Sequence, residues 1–326
     1  MENPDLLALA GAGKSGWRDR SRRNDDERGG GAVRLFCFGL GYSARRIIAR
    51  GESLEASGTT RGGEAATALR RDGVAAFAFD GERGEEALLH ALARAQVLLV
   101  TAPPGEGGDP ALAHFSREIA AAPDLERVVY LSSVGVYGDR GGAWVNETSP
   151  PSPDSPRARW RLLAEDQWRG LSAARGVPVD ILRLAGIYGP GRNALVKLRA
   201  GEARRVVKPG QVFNRIHVDD VAGVALRLIA AGGKGEIWNV ADEEPAPPQD
   251  VVAFAASLLG MAPPPEEALE TAPLSPMARS FYDDNRRVSV EKLRRELGYR
   301  WLYPTYREGL RALAAAGEGR ESENRA

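Results

Sequence analysis

The stretch Val33-Arg34-Leu35-Phe36-Cys37-Phe38-Gly39-Leu40-Gly41-Tyr42-Ser43-Ala44 decides how the rest of the chain is read. An apolar run broken only by Arg34 passes straight into Gly-x-Gly-x-x-Ala, and a helical pattern follows from Tyr42. A strand that turns sharply into a helix leaves the first helical N–H groups unpaired and the positive end of the helix dipole exposed. Gly39 permits the tight turn, and Gly41 lets a pyrophosphate approach the backbone. Ala44 is small enough for close packing of helix on sheet. Gly39, Gly41, Tyr42, Ser43 and Ala44 are therefore the expected cradle for the phosphates of a nicotinamide dinucleotide. The glycine pattern is weak alone; the strand before it, the helix after it and the rhythm that follows give it meaning.

That rhythm is an alternation of short apolar strands with Ala/Leu/Arg/Glu-rich helical segments. Strands are expected near Leu54–Thr60, Val74–Phe79, Gln96–Thr101, Arg127–Ser132 and Pro178–Leu184. Strands that are apolar throughout, joined by helices, imply a parallel sheet covered on both faces. The expected fold is α/β: a Rossmann-type doubly wound parallel sheet with a smaller, mixed α/β C-terminal substrate domain. After Leu184 the pattern predicts a helix over Val218–Ala231, a strand over Glu236–Val240, and helices over Gln249–Leu259, Val288–Leu297 and Tyr306–Ala316. Residues 1–31 and 317–326 read as disordered tails, since they hold little to bury. Residues 32–185 form the dinucleotide domain, and residues 186–316 a substrate-binding region that partly returns to it.

The ends of the strands bear on the choice of coenzyme. An Asp or Glu closing the second strand would bind the ribose 2′-OH of NAD. This chain has Gly58-Thr59-Thr60-Arg61 instead. No carboxylate there repels a 2′-phosphate, and Arg61 can pair with one as a planar fork, with Arg45 and Arg46 assisting from the first helix. Arg61 equally suits a solvated surface. Thr60 and Arg61 thus favour NADP, with NAD the alternative. Asp80, ending the third strand, suits either an adenine contact or a helix N-cap. Thr101, Ala102 and Pro103 end the fourth strand, where ligands of open α/β sheets bind.

Composition excludes several classes. Lys+Arg and Asp+Glu are both 44, so net charge is zero and gives no case for a nucleic-acid or anionic-membrane partner. Cys37 is the only cysteine, which rules out an internal disulfide and a cysteine zinc site. His90, His114 and His217 show no metal-ligand spacing, so no metal is expected. No apolar run reaches the roughly 20 residues that span a bilayer. A cytoplasmic location is the expectation.

Beyond the glycine turn, YLSSVGVYGD (130–139), LRLAGIYGPGR (182–192), RIHVDDVAGVAL (215–226) and IWNVADEEP (237–245) resemble the extended short-chain dehydrogenase/reductase family, also called the NAD-dependent epimerase/dehydratase family. NRRVSVEKLRRELGY (285–299) and YPTYREGL (303–310) look most like an atypical branch of it. The resemblance implies hydride transfer to or from a sugar or carbonyl substrate. A Ser orients the substrate hydroxyl, a Tyr acts as acid/base, and a Lys four residues later holds the nicotinamide ribose. A nearby ammonium helps a phenol to ionise. Ser133 matches the Ser. Arg157 and Arg161 stand where the Tyr and the Lys belong, and no Tyr occurs between Tyr137 and Tyr188. Arginine stays protonated, so Arg157 is no base; Arg161 can hold ribose hydroxyls. Tyr137 is the remaining candidate hydroxyl. The resemblance adds Ala185 to the cofactor set and puts Arg192 and Asn193 near the substrate. Asp219 or Asp220 is expected to cap the next helix, with His217 structural. Trp160 and Trp168 read as core or interface aromatics.

Two functions follow from these residues. One is an NAD(P)-dependent oxidoreductase or epimerase with a modified active site. The other is a non-catalytic NADP-binding sensor or structural subunit. A small-molecule substrate and a homodimer are the expected partners.

Overall fold

The computed structural model describes residues 31–82 and 84–319. The expected N-terminal tail, except Gly31, and residues 320–326 lie outside the described residues. Seven parallel strands form the central sheet: β1 (Val33–Phe38), β2 (Leu54–Thr60), β3 (Ala75–Ala78), β4 (Val97–Val100), β5 (Arg127–Ser133), β6 (Val179–Leu184) and β7 (Ile237–Val240), in the spatial order β3-β2-β1-β4-β5-β6-β7. The order reverses between β1 and β4, whose carboxyl ends bound the crevice where ligands of such sheets bind. Leu35 pairs with Ala56 on one side and with Val97 on the other.

The continuous apolar run of β1 is explained by its two neighbours. Leu35 and Cys37 enter one core with Ala44 and Ile47; Phe36 and Phe38 enter the opposite core. Each fully buried large side chain contributes about 1.5–3 kcal/mol. The first core is covered by α1 (Tyr42–Arg50) and α2 (Gly63–Arg71), the second by α3 (Glu86–Ala93), α4 (Pro110–Ala121) and α5 (Pro156–Arg175). Cys37 is wholly buried, and burial pushes its thiol far up, so it is packing and not chemistry.

The chain beyond β6 serves both parts of the molecule. Helices α6 (Ala194–Arg199), α8 (Pro248–Leu258) and α11 (Tyr306–Ala315) pack a separate apolar cluster around Leu195, Leu198, Val251, Ala255, Leu310 and Leu313. The α7 helix (Val218–Ala230) returns to the first core through Val221, Ala222, Val224 and Leu228, and β7 completes the sheet beside β6. Two short helices, α9 (Pro276–Ser280) and α10 (Glu291–Glu296), close the set.

The stretch 288–297 departs from the expected single helix. Arg287 and Val288 are a strand that pairs with Trp144 and Val145, and α10 starts only at Glu291. The backbone groups of 287–288 find partners across the fold, an alternative that local periodicity does not reveal. The C-terminal tail also departs from expectation. Glu318 accepts hydrogen bonds from Gly191 N–H at 3.0 Å and from Asn193 Nδ2 at 3.0 Å, so residues 317–319 are attached to the fold.

Candidate cofactor and substrate site

The glycine turn is held from both flanks. Gly39 has φ +100°, and a Cβ there would sit 2.8 Å from Thr101 Oγ1 and 3.1 Å from Ala102 N. Only glycine suits both that backbone conformation and that approach. From β4, Thr101 and Ala102 each donate an N–H to Phe38 O at 2.9 Å, and the Thr101 hydroxyl donates to Gly39 O at 2.6 Å. From β2, Thr59 Oγ1 accepts the Gly39 N–H at 3.0 Å and Thr59 O accepts the Leu40 N–H at 2.6 Å. Thr59 is buried; the sequence reading weighed its neighbour Thr60, whose carbonyl pairs with Phe79 N–H at 2.9 Å.

Gly41 is the N-cap of α1. No side chain caps this helix, its first turn carries no acid, and the direction a Cβ would take from Gly41 is clear within 4 Å. Ala44 is fully buried against the sheet, and Ser43 is half-buried beside it. An open, uncapped helix terminus with a clear approach fits the pyrophosphate of a dinucleotide.

Beyond the turn, a cleft of about 310 Å³ is lined by Arg61, Gly63, Ala78, Phe79, Asp80 and Glu85. Arg61 is exposed and makes no ion pair or hydrogen bond among the described residues. Glu85 is engaged instead by Arg70, at 2.7 and 2.8 Å. Asp80 is not a helix cap: its Oδ1 accepts from Glu82 N–H at 2.9 Å, and α3 begins after Glu85. Arg46, read as an assistant to Arg61, is held elsewhere by Asp219, with Nη2 to Oδ2 at 2.9 Å.

On the other side of β1, Ser133 is half-buried and its Oγ accepts the Gly135 N–H at 3.1 Å, capping the short turn Val134–Tyr137. Its own hydroxyl proton remains available. Tyr137 is placed differently from expectation. It is fully buried and its hydroxyl donates to Asn239 Oδ1 at 2.7 Å. Burial raises its pKa, against the lowering effect of Arg183, whose guanidinium lies 4.8 Å from the ring centre. A buried, committed phenol cannot exchange protons with a substrate, so Tyr137 is withdrawn as the acid/base.

Arg183 in turn pairs with Glu165 at 2.6 Å, both nearly inaccessible, and the Ser132 hydroxyl donates to the same carboxylate. The pair lies in the wall of a cavity of about 340 Å³ between α5, the loop 147–151 and the edge strand β7. One turn up α5, Arg161 Nη1 donates to Leu131 O at 2.9 Å and to the Tyr130 hydroxyl at 3.2 Å. Tyr130 is a phenol beside a fixed cation, but burial outweighs the cation and pushes its pKa up, so it stays protonated. Arg157 is exposed. Trp168 is fully buried against Tyr130, a core role, and Trp160 is half-buried.

Of the remaining candidates, Ala185 is buried and donates its N–H to Val240 O at 2.9 Å. Asn193 is buried with every polar group engaged. Its Oδ1 accepts from Leu195 and Val196 N–H at 2.9 and 3.1 Å, while Nδ2 donates to Gly189 O at 2.9 Å and to Glu318. That leaves it nothing to offer a substrate. Arg192 is exposed, with its guanidinium 5.6 Å from the centre of the Tyr42 ring. The cap of α7 is His217, whose Nδ1 accepts the Asp219 N–H at 3.1 Å; neither Asp219 nor Asp220 caps it. Asp220 accepts from the Tyr299 hydroxyl at 2.8 Å and from Leu302 and Tyr303 N–H at 2.7 and 3.1 Å, pinning the C-terminal segment. Among the described residues no group of three or more His, Cys, Asp or Glu side chains is placed to hold a metal ion. No helix among them is long and apolar enough to cross a membrane.

A doubly wound sheet with an open glycine turn at its switch point places the chain among the Rossmann-type α/β proteins. The chain belongs to the NAD-dependent epimerase/dehydratase family. Residues 111–241 match that family. The chain is 32% identical over 290 residues to protein YeeZ of Escherichia coli, covering 83% of this chain and 96% of YeeZ. Among solved structures, it is similar to a functionally unknown conserved protein from Silicibacter pomeroyi, at 44% identity and TM-score 0.77, over 87% of this chain and 99% of that one. The fold is also that of dTDP-glucose 4,6-dehydratase from Bacillus anthracis in complex with NAD, at 18% identity and TM-score 0.70, over 89% and 98% of the two chains.

Proposed function

We propose that the protein is an NAD(P)-dependent oxidoreductase or epimerase/dehydratase-like enzyme that works without a Tyr-x-x-x-Lys pair on a small sugar or carbonyl substrate. The observation that carries this reading is the uncapped α1 terminus with its open approach at Gly41. The unpaired Arg61 in the adjoining cleft favours NADP over NAD. When bound, the nicotinamide supplies or accepts a hydride. Gly39, Gly41, Tyr42, Ser43 and Ala44 would hold the pyrophosphate, and Arg61 the adenosine end.

The chain's own contribution to the chemistry is orientation and charge. Ser133 has its oxygen fixed by the Gly135 N–H, so its proton can be donated to a substrate oxygen. Arg161 cannot act as a base, but it holds a permanent positive charge close to β5 that favours negative charge developing on that oxygen. The partners we propose are a small molecule and, through α5 with its exposed Leu163, a second copy of the chain.

A second reading is supported by the burial of Tyr137 and by arginines at both positions of the usual pair: a protein that holds NADP without turnover, as a sensor or structural subunit. Fluorescence titration with NADPH and NADH, followed by a screen for coenzyme consumption with sugars and carbonyl compounds, separates the two. Binding with turnover supports the enzyme, and binding without any turnover supports the sensor. Absence of binding sinks both.

A further inference from the structure

We propose that Arg192 supplies a cation to the pyrophosphate of the coenzyme, and that Glu318, beyond the last helix, is the residue that positions it. This inference rests on the reading that the protein binds NAD(P). The turn Gly189–Arg192 is closed by two backbone hydrogen bonds, Gly189 N–H to Arg192 O at 3.1 Å and the reverse at 3.0 Å. It leans on the glycine turn through Tyr42, the first residue of α1. The Tyr42 hydroxyl donates to Pro190 O at 3.1 Å, and the Arg192 guanidinium lies over the Tyr42 ring at 5.6 Å. The approach is close: a Cβ on Gly189 would fall 2.6 Å from the Tyr42 hydroxyl. Arg192 forms no ion pair among the described residues, so its charge is available beside the uncapped helix end. A guanidinium fork in that position matches a phosphate in charge and geometry.

What keeps the turn in place comes from far along the chain. Both carboxylate oxygens of Glu318 accept the Gly191 N–H, at 3.0 and 3.1 Å, and Oε2 accepts Asn193 Nδ2 at 3.0 Å. The next residue is tied as well, Gly319 O accepting from Arg199 Nε at 2.7 Å. The segment therefore contacts both ends of α6, with Glu318 on the turn that leads into it and Gly319 on its last residue. Without Glu318, the Gly191 N–H loses its partner, and the turn is held only by its own two backbone hydrogen bonds, by Tyr42 and by Asn193, which loosens the placement of Arg192. The carboxylate itself is covered by N–H donors, which blunts its repulsion toward a phosphate.

Three ligands test this on the full chain by titration: NADPH, ADP-ribose, which keeps the pyrophosphate, and adenosine 2′-monophosphate, which carries no phosphate on the 5′ side. Arg192→Gln weakens NADPH and ADP-ribose about tenfold, the scale of one charge-assisted contact, and leaves adenosine 2′-monophosphate unchanged. Glu318→Ala weakens the same two ligands several-fold, and Glu318→Gln, which keeps an acceptor, restores most of the affinity. Equal losses for all three ligands would mean a general folding defect and overturn the assignment. So would an unchanged Arg192→Gln, or tighter binding in Glu318→Ala, which would make the carboxylate a competitor of the phosphate. If the wild-type protein binds no nicotinamide coenzyme, the functional reading itself falls; if it binds and only the variants behave otherwise, this inference alone falls.

Discussion

Arg46 on α1 and Asp219 on α7 form an ion pair, Nη2 to Oδ2 at 2.9 Å, that ties the helix after the glycine turn to the helix by which the C-terminal region returns to the first core. Burial alone would raise the Asp219 carboxyl, but the Arg46 hydrogen bond and the charges of His217, Arg46 and Arg50 outweigh it and hold it below the usual range. Asp219→Ala is expected to cost about 1–3 kcal/mol, read as a lower urea midpoint with an unchanged slope. Arg46→Ala should leave the NADP/NAD affinity ratio where it is, because this arginine is committed to Asp219. A ratio that moves toward NAD would show Arg46 reaching the coenzyme.

The NADP preference we propose rests on Arg61. Arg61→Asp replaces a free cation with a carboxylate that repels a 2′-phosphate and can accept from a ribose hydroxyl. The expected result is a shift of the affinity ratio from NADP toward NAD of about tenfold or more, one charge-assisted contact being about 1.5–3 kcal/mol. An unmoved ratio removes the coenzyme preference and leaves dinucleotide binding itself intact.

Tyr137 and Glu165 belong to the interior, and their variants should behave as stability variants. Tyr137→Phe leaves Asn239 Oδ1 without its donor and should cost about 1–2 kcal/mol with coenzyme affinity unchanged. Glu165→Ala strands the buried Arg183 guanidinium and should cost about 3–5 kcal/mol. Thermal or urea denaturation of both variants measures these. Ser133→Ala is the contrast: it loses a turn cap worth about 0.5–2 kcal/mol, coenzyme affinity stays close to wild type, and turnover falls by more than the loss of folded protein explains. A larger loss of turnover in Tyr137→Phe than in Ser133→Ala would return the acid/base role to Tyr137.

His217 makes stability depend on pH. Burial pushes its pKa down to about 4 from 6.5, against the raising effect of Asp219, so the native state keeps it neutral and its Nδ1 free to cap α7. As pH falls below 6.5 the unfolded chain takes up a proton that the folded protein refuses until about 4. The contribution is therefore complete above the upper value and is lost progressively between the two. Melting temperature should fall from pH 7 to pH 5. His217→Asn, which keeps a capping acceptor and does not titrate, should flatten that slope. An identical slope in the variant would assign the pH dependence to other groups.

The dinucleotide half was legible from the sequence because its determinants are local. The run Val33–Phe38 is apolar at every position but one, which only a strand covered on both faces requires, and Gly39, Gly41 and Ala44 follow at the spacing a strand–turn–helix needs. The absence of a Tyr and a Lys from α5 was equally plain. What tertiary structure alone decided concerns partners distant in the chain. Tyr137 is an interior residue whose hydroxyl donates a hydrogen bond to Asn239, 102 positions later. Arg46, expected to assist Arg61, is held instead by Asp219, 173 positions away. Asn193 and the turn beside it were fixed by Glu318, in a stretch that looked like a tail. A hydrogen bond depends on where two groups meet in space, and composition or periodicity in one segment carries no information about the segment that will meet it.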